Sequence, residues 1–104
     1  MAKTKYMKPE ARKDQILEAA LKVAERDGYH MVRRETVAAH VGCSVGTVSR
    51  YFNTMNQLRK AVMRHAVHTV NLVVIGQGLT QRDSQAYKAP EDVQKAALSH
   101  FLQG

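Results

Sequence analysis

The sequence of 104 residues has one cysteine, no tryptophan and no apolar run longer than the four residues Leu72–Ile75. One cysteine cannot form an internal disulfide, which is consistent with a reducing cytoplasm. A run of four apolar residues is far too short to cross a bilayer, and the polar segment 1–10 lacks the apolar stretch of a signal peptide. These absences predict a soluble cytoplasmic protein with one small domain and no membrane association.

Acidic residues are missing between Glu35 and Asp83, whereas the chain as a whole carries a net charge of +7. The acid-free stretch contains five cations: Arg50, Arg59, Lys60, Arg64 and Arg82. It therefore lacks the intramolecular partners that usually neutralise a basic surface. Such a surface suits a polyanion, either nucleic acid or an anionic membrane, although a merely solvated face gives the same pattern.

Signatures of catalysis and of cofactor binding are also missing. No Ser/His/Asp arrangement or carboxylate pair stands out, and the pair His65 and His68 has no nearby cysteine or acid to complete a metal site. The segment Gly76–Gly78 lacks the strand, third glycine and following helix of a phosphate loop, so it is interpreted as the end of a helix. Cys43 is interpreted as a buried structural thiol. We expect no enzyme activity, no metal and no cofactor.

Apolar residues at helical spacing, separated by helix start and stop signals, are what the chain does contain. No strand pattern and no internal repeat occurs, so the predicted fold is all-α. Five helices are expected: 9–27, 33–41, 44–52, one from 53 or 54 to 75, and one that begins at 90. The segment 80–89 is expected to be a polar linker. The predicted organisation is a flexible basic arm (1–8, with Lys3, Lys5 and Lys8), a head (9–64) and a C-terminal helical segment (65–104) of the same domain.

The stretch VGCSVGTVSRYF, residues 41–52, combines the requirements of a tight corner between two helices. Helices that cross near a right angle need a small residue at the contact and a residue that tolerates positive φ in the turn. Ala38 and Gly42 meet these requirements. Four apolar or small residues fall at inward positions: Val37, Val41, Cys43 and Val48. This combination predicts a helix-turn-helix, with Ser44 as the N-cap of its second helix.

The outer face predicted for the third helix is narrow and suits close approach to DNA. Gly46 and Arg50 point away from the core, flanked by Thr47 and Ser49. An arginine in the major groove can bond a guanine with two parallel hydrogen bonds, and hydroxyls can bond phosphates or bases. An exposed helix without such a role would more commonly carry glutamate and lysine pairs. DNA recognition is therefore favoured over an ordinary corner.

The segments ILEAALKVAERDGY, VAAHVGCSVGTVSRYF and NQLRKAVM resemble the N-terminal DNA-binding domain of the tetracycline-repressor (TetR) family. The resemblance covers roughly residues 12–63 without a gap. It implies that the second helix packs over the DNA backbone and the third enters the major groove. It also implies that Val45, Gly46 and Thr47 approach bases, while Thr47 and Tyr51 contact phosphates.

Several positions depart from the family pattern. Ser49 and Met55 stand where a phosphate-binding tyrosine and lysine are usual. Arg33 and Arg34 replace threonine or apolar residues, and they compensate if they contact DNA at the second helix. Glu35 stands where a basic residue sometimes contacts DNA. The run 47–50 is more similar to the recognition helix of the lactose-repressor family, but the complete helix before residue 28 favours the TetR arrangement.

The expected function is a sequence-specific transcriptional regulator, most simply a repressor that binds double-stranded DNA as a homodimer. Its operator is expected to be an inverted repeat with half-sites about one helical turn apart. The expected DNA-binding residues are Arg33, Arg34, Val45, Gly46, Thr47, Ser49, Arg50 and Tyr51. The expected dimerisation residues are Val70, Val73, Val74, Val93, Leu98, Phe101 and Leu102.

Two other functions remain open on the sequence alone. One is an architectural or partition protein that coats DNA with little sequence preference, and the other is a protein-interaction module without DNA binding. TetR-like regulators normally continue into a larger inducer-binding domain, for which only about forty residues remain here. A stripped-down regulator without a small-molecule inducer, of the kind that fits a phage or a plasmid, is therefore expected.

Overall fold

Six α-helices and two 3₁₀ turns make up residues 8–103, the part of the chain that the computed structural model describes. The helices are α1 (Pro9–Asp27), α2 (Arg34–Val41), α3 (Val45–Tyr51), α4 (Met55–His68), α5 (Leu72–Thr80) and α6 (Glu91–Gln103). The 3₁₀ turns are Tyr29–Met31 and Ala86–Lys88. The all-α prediction is confirmed over this range, but the predicted number of five helices is wrong. The basic arm lies outside the described residues, except for Lys8.

The additional helix arises because the long fourth helix of the prediction is two helices, α4 and α5. Past the last turn of α4, the Asn71 amide donates to the Ala66 carbonyl (2.8 Å), and Val70 adopts a φ of 53°. The Asn71 side chain then accepts a hydrogen bond from the Val74 amide at 3.1 Å and so caps the start of α5. Valine is poorly suited to the left-handed region. Val70, Val73 and Val74 continue the helical periodicity through this break, so the pattern predicted one helix. Asn71, a residue type that favours the N-cap position, is the sequence feature that indicates the start of a second helix.

Gly76 and Gly78 lie inside α5 and do not end it. A Cβ atom at Gly76 would lie 2.9 Å from the carbonyl oxygen of Ala97 and 3.1 Å from Cβ of Phe101, both on α6. The missing side chain therefore lets α6 lie directly against the α5 backbone. The predicted helix stop is wrong because these glycines serve close packing between helices.

The segment 80–89 was expected to be a polar linker, but Thr80 ends α5 and residues 81–90 form a structured connection between α5 and α6. The Asp83 side chain accepts hydrogen bonds from the amides of Gln85 (2.9 Å) and Ala86 (3.3 Å). Gln85 and Ala86 are buried. The connection therefore contributes to the core instead of only joining two helices.

One hydrophobic core joins the head to the C-terminal segment. Ile16 and Val23 of α1 are fully buried in it, together with Val62 of α4 and with Val74 and Ile75 of α5. Val74 was expected at a dimer interface, and the structure contradicts this because no part of its side chain is exposed in the single chain. The head alone does not close this core, and α5 completes it.

No helix within residues 8–103 is both long enough and apolar enough to span a membrane.

The close approach of α5 and α6 predicts that Gly76→Val lowers the free energy of unfolding by about 1–3 kcal/mol, because the new side chain overlaps the α6 backbone. The measurement is the midpoint of urea denaturation. Gly46→Val is the matched control, since a Cβ there has only Ser44 Oγ within 4 Å, at 3.7 Å. Equal stability of the two variants would contradict the packing described here.

Candidate nucleic-acid interface

The turn between α2 and α3 has the geometry that the sequence predicts for a helix-turn-helix. Gly42 adopts φ 86° and ψ 31°, in the left-handed region. The amides of Gly42 and Cys43 both donate to the Ala38 carbonyl, at 2.8 and 3.0 Å. Ala38 and Val48 are buried at the corner, and Cys43 is half-buried. Because only glycine adopts this conformation without strain, Gly42 sets the direction in which α3 leaves the turn.

Ser44 caps α3 as predicted. Its Oγ accepts a hydrogen bond from the Thr47 amide at 3.1 Å and lies 3.0 Å from the Thr47 hydroxyl. The cap satisfies one of the amides at the helix start that have no partner within the helix. The contact between the two hydroxyls also orients the Thr47 side chain, which was expected to contact DNA.

The outward side of α3 presents little side-chain bulk. Val45, Gly46 and Arg50 are exposed, whereas Thr47 and Ser49 are half-buried. A Cβ atom at Gly46 would meet only Ser44 Oγ within 4 Å, at 3.7 Å, so little of the described chain covers this position. The arrangement combines a glycine with an arginine one turn later on the same exposed side, which allows the helix to approach the floor of a groove while the guanidinium reaches a base edge.

The two arginines at the start of α2 have different surroundings. Arg33 is exposed, and Arg34 is half-buried. Arg34 Nη1 donates to the Asn53 carbonyl at 2.8 Å, while its Nε is buried without a hydrogen-bond partner in the described chain. Arg34 thus fastens the α3–α4 link to the start of α2, a structural contact that the sequence did not reveal. Arg33 is exposed, so of the two arginines its guanidinium is the more accessible to a phosphate.

Two hydrogen bonds between side chains and backbone amides close the start of α4, directly after α3. Thr54 Oγ1 accepts from the Gln57 amide at 3.1 Å, and Gln57 Oε1 accepts from the Asn53 amide at 3.0 Å. The first bond is the N-cap of α4, and the second differs from a capping box because Gln57 reaches the amide before the cap instead of the Thr54 amide. The spacing of Thr54 and Gln57 is a sequence signal that could have identified this helix start. The bond to Asn53 ties α4 to the link that follows α3.

Lys13 is a residue that the sequence analysis did not place near α3. Its Nζ lies 5.7 Å from the centre of the Phe52 ring, within the range of a cation–π contact. Lys13, Tyr51, Lys60 and Arg64 line one groove between α1, the end of α3 and α4. These residues are far apart in the sequence, and they come together only because α1 packs beside α4. The sequence alone therefore does not predict the groove. The basic surface next to α3 is consequently larger than the helix-turn-helix alone.

Comparison with known proteins gives a family match that coincides with this interface. Residues 16–62 match the family model described as bacterial regulatory proteins, tetR family. The match contains all of α2 and α3 and most of α4.

Curated relatives are regulators of the same type. A protein of Pectobacterium carotovorum subsp. carotovorum (strain PC1) named HTH-type transcriptional regulator BetI is 29% identical over 93 residues, which cover 89% of this chain and 44% of the relative. A protein of the same name from Vibrio parahaemolyticus is 28% identical over 68 residues, covering 65% of this chain and 34% of the relative. The chain thus spans less than half the length of the curated relatives it matches. No solved structure matches it.

The cap on α3 predicts that Ser44→Ala lowers the free energy of unfolding by about 1 kcal/mol. Ser44→Asn is the matched control, because asparagine also accepts a hydrogen bond from the helix start and should retain most of the stability. Urea denaturation of both variants is the measurement. If alanine and asparagine are equally destabilising, the hydrogen bond to the Thr47 amide is not what stabilises α3.

Proposed function

Because residues 16–62 match the family model described as bacterial regulatory proteins, tetR family, we propose that this chain represses transcription by binding a specific DNA sequence through α3. The observation that carries the proposal is the exposed face of α3, which presents Gly46 and Arg50 on a helix whose start is fixed by the Gly42 turn and the Ser44 cap. The family match supports a DNA-binding regulator. The finer proposal, that α3 recognises bases in the major groove, rests on the side chains of this face.

Each residue of the candidate interface, exposed or half-buried, has a role in the proposal. Arg50 bonds a base edge, with guanine the best partner because it offers two acceptors to one guanidinium. Val45 and Gly46 pack close to base edges. Thr47, Ser49 and Tyr51 contact phosphates, which fixes the register of the helix on the duplex. Arg33 contacts the backbone at the start of α2, and Arg34 adds to it through whichever of its N–H groups the Asn53 carbonyl leaves free.

A second candidate is an architectural protein that binds DNA with little sequence preference. The observation in its favour is the groove lined by Lys13, Lys60 and Arg64, whose three cations suit phosphates and recognise no base. The two candidates differ in a measurable ratio. A specific regulator binds its operator about 10³-fold or more tightly than random DNA, whereas an architectural protein does not.

We also propose that the chain binds DNA as a homodimer through α6. Leu98, Phe101 and Leu102 are 38%, 41% and 81% exposed, an unusual run of apolar surface on one helix. One helix-turn-helix contacts only a few base pairs, so such domains commonly pair across a two-fold axis. A second copy of this chain would cover the apolar face of α6 and would also supply the second helix-turn-helix. Of the other residues expected at the dimer interface, Val73 and Val93 are half-buried in the single chain, and Val70 is exposed in the α4–α5 turn.

The proposed operator is an inverted repeat with half-sites about 10 bp apart, since a two-fold dimer places its two recognition helices on one face of the duplex. The name of the curated relatives, HTH-type transcriptional regulator, supports a role in transcription. That no inducer acts on the protein stays a prediction from the sequence.

Arg50→Ala is expected to weaken operator binding by about 1–3 kcal/mol and to relax base preference at one position of each half-site. The reason is the loss of a two-bond contact to a base. Arg64→Ala is the matched control, because it removes the same charge from α4 and should lower affinity for all duplexes to a similar, smaller extent. The measurement is binding to an operator and to a panel of single-base variants. Retention of full affinity and preference by the Arg50 variant would show that α3 does not contact the bases.

Leu102→Asp is expected to shift the protein from dimer to monomer, because a charge buried in an apolar interface has no partner. Leu102 is chosen because Phe101 also lies against α5 near Gly76, so a change there disturbs the single chain. Ser99→Asp, elsewhere on the exposed surface of α6, is the matched control and should leave the dimer intact. Sedimentation equilibrium at micromolar concentration gives the oligomeric state. A wild-type protein that is monomeric with and without DNA would rule out the homodimer.

A further inference from the structure

A polar cleft of about 310 Å³ lies outside the helix-turn-helix. One wall is the first half of α4 with the 3₁₀ turn before α2, and the other is the connection between α5 and α6. None of its lining residues belongs to α2 or α3. The cleft therefore bridges the head and the C-terminal segment, and it requires an explanation separate from base recognition.

The one carboxylate among the lining residues, Asp83, is already engaged. Its Oδ2 accepts a hydrogen bond from the Tyr29 hydroxyl at 2.8 Å, and its Oδ1 accepts from the amides of Gln85 and Ala86. The Tyr29 hydroxyl also lies 2.9 Å from the Arg59 carbonyl oxygen. Burial and the Asp83 carboxylate raise the pKa of the Tyr29 phenol, so it stays protonated and keeps donating. Asp83 thus holds its own loop in place and offers little to a cation.

The groups of the cleft that remain free are donors. Arg59 and Lys60 line it side by side on α4, and neither has an ion-pair partner within residues 8–103. Arg59 is close enough to Tyr29 for its charge to oppose the rise of the phenol pKa. The other lining residues have polar side chains that can donate hydrogen bonds: His30, Asn56, Gln81, Ser84 and Gln85. Two cations outnumber the one carboxylate, whose oxygens are already engaged within the chain, and this balance favours a small oxyanion.

We propose that this cleft binds a phosphate group, which either belongs to a small phosphate monoester or is a phosphate of bound DNA. A phosphate monoester carries a charge of roughly −1.5 to −2 near neutral pH and has three acceptor oxygens. The two cations of the cleft match this charge, and the donors around them match the oxygens. Arginine bonds two of these oxygens at once, and lysine supplies a second charge. A bound phosphate would join α4 to the α5–α6 connection.

The site is tested first without DNA, by following backbone amide shifts in NMR spectra while inorganic phosphate is added. Ionic strength is held constant with chloride. We expect saturable shifts for residues 56–60 and 81–85, with affinity about tenfold lower in Arg59→Gln because one charge-assisted pair of hydrogen bonds is lost. Lys22→Gln is the control for the loss of one positive charge, because Lys22 is exposed on α1 outside the cleft and the basic groove, and it should bind phosphate like the wild type. Shifts that do not saturate, or equal weakening by the two variants, would overturn the proposal.

The source of the phosphate is identified by repeating the titration with saturating duplex DNA. If a DNA phosphate occupies the cleft, the duplex abolishes the response of residues 56–60 and 81–85 to added phosphate. If the natural ligand is a monoester, the response persists in the complex, and glycerol 3-phosphate produces it as well. Both results support the site. The first titration contains no DNA, so a negative result there would not contradict the proposed DNA-binding function. Likewise, a failure of sequence-specific DNA binding would not change the phosphate affinity measured for the cleft.

Discussion

The shortness of α3 is the constraint on which the interface depends. The helix has seven residues, of which only Val48 is fully buried. A helix of this length is not stable by itself, so other contacts must hold it. The Gly42 turn and the Ser44 cap fix its start, while the buried Phe52 and the hydrogen bond from the Asn53 amide to Gln57 fix its end. Because all of these contacts lie on its inner side or at its ends, its outer face stays exposed.

The head was largely predictable because its signals are local. Gly42 marks a turn that requires positive φ, and Ser44 marks a helix start, wherever the rest of the chain lies. The C-terminal half was less predictable because its glycines and valines have meaning only in three dimensions. In the sequence Gly76 indicates a helix stop, but in the structure it lets α6 pack against α5. Val74 was predicted at a dimer interface, but it is buried in the core with the rest of the inner face of α5. Lys13 joined the interface for the same reason, through packing between helices.

Polar contacts tie the two halves of the chain together at three places along α1 and the turn that follows it. Asn71 donates to Glu25 at 2.6 Å, Gln77 donates to the Ala24 carbonyl at 3.1 Å, and Tyr29 donates to Asp83. With the shared apolar core, these bonds connect the helix-turn-helix head to α5 and to the connection before α6. The connection that lines the proposed cleft is thus in direct contact with the head through the Tyr29–Asp83 hydrogen bond.

Selection of bound sequences from a pool of random duplexes is the sharpest test of the proposal that α3 recognises a specific base sequence. Successive rounds are expected to enrich one motif, an inverted repeat with half-site centres about one helical turn apart. The enriched duplex is expected to bind about 10³-fold or more tightly than the starting pool at physiological salt. A pool that stays random, with binding that depends only on salt concentration, would show that α3 does not recognise base sequence.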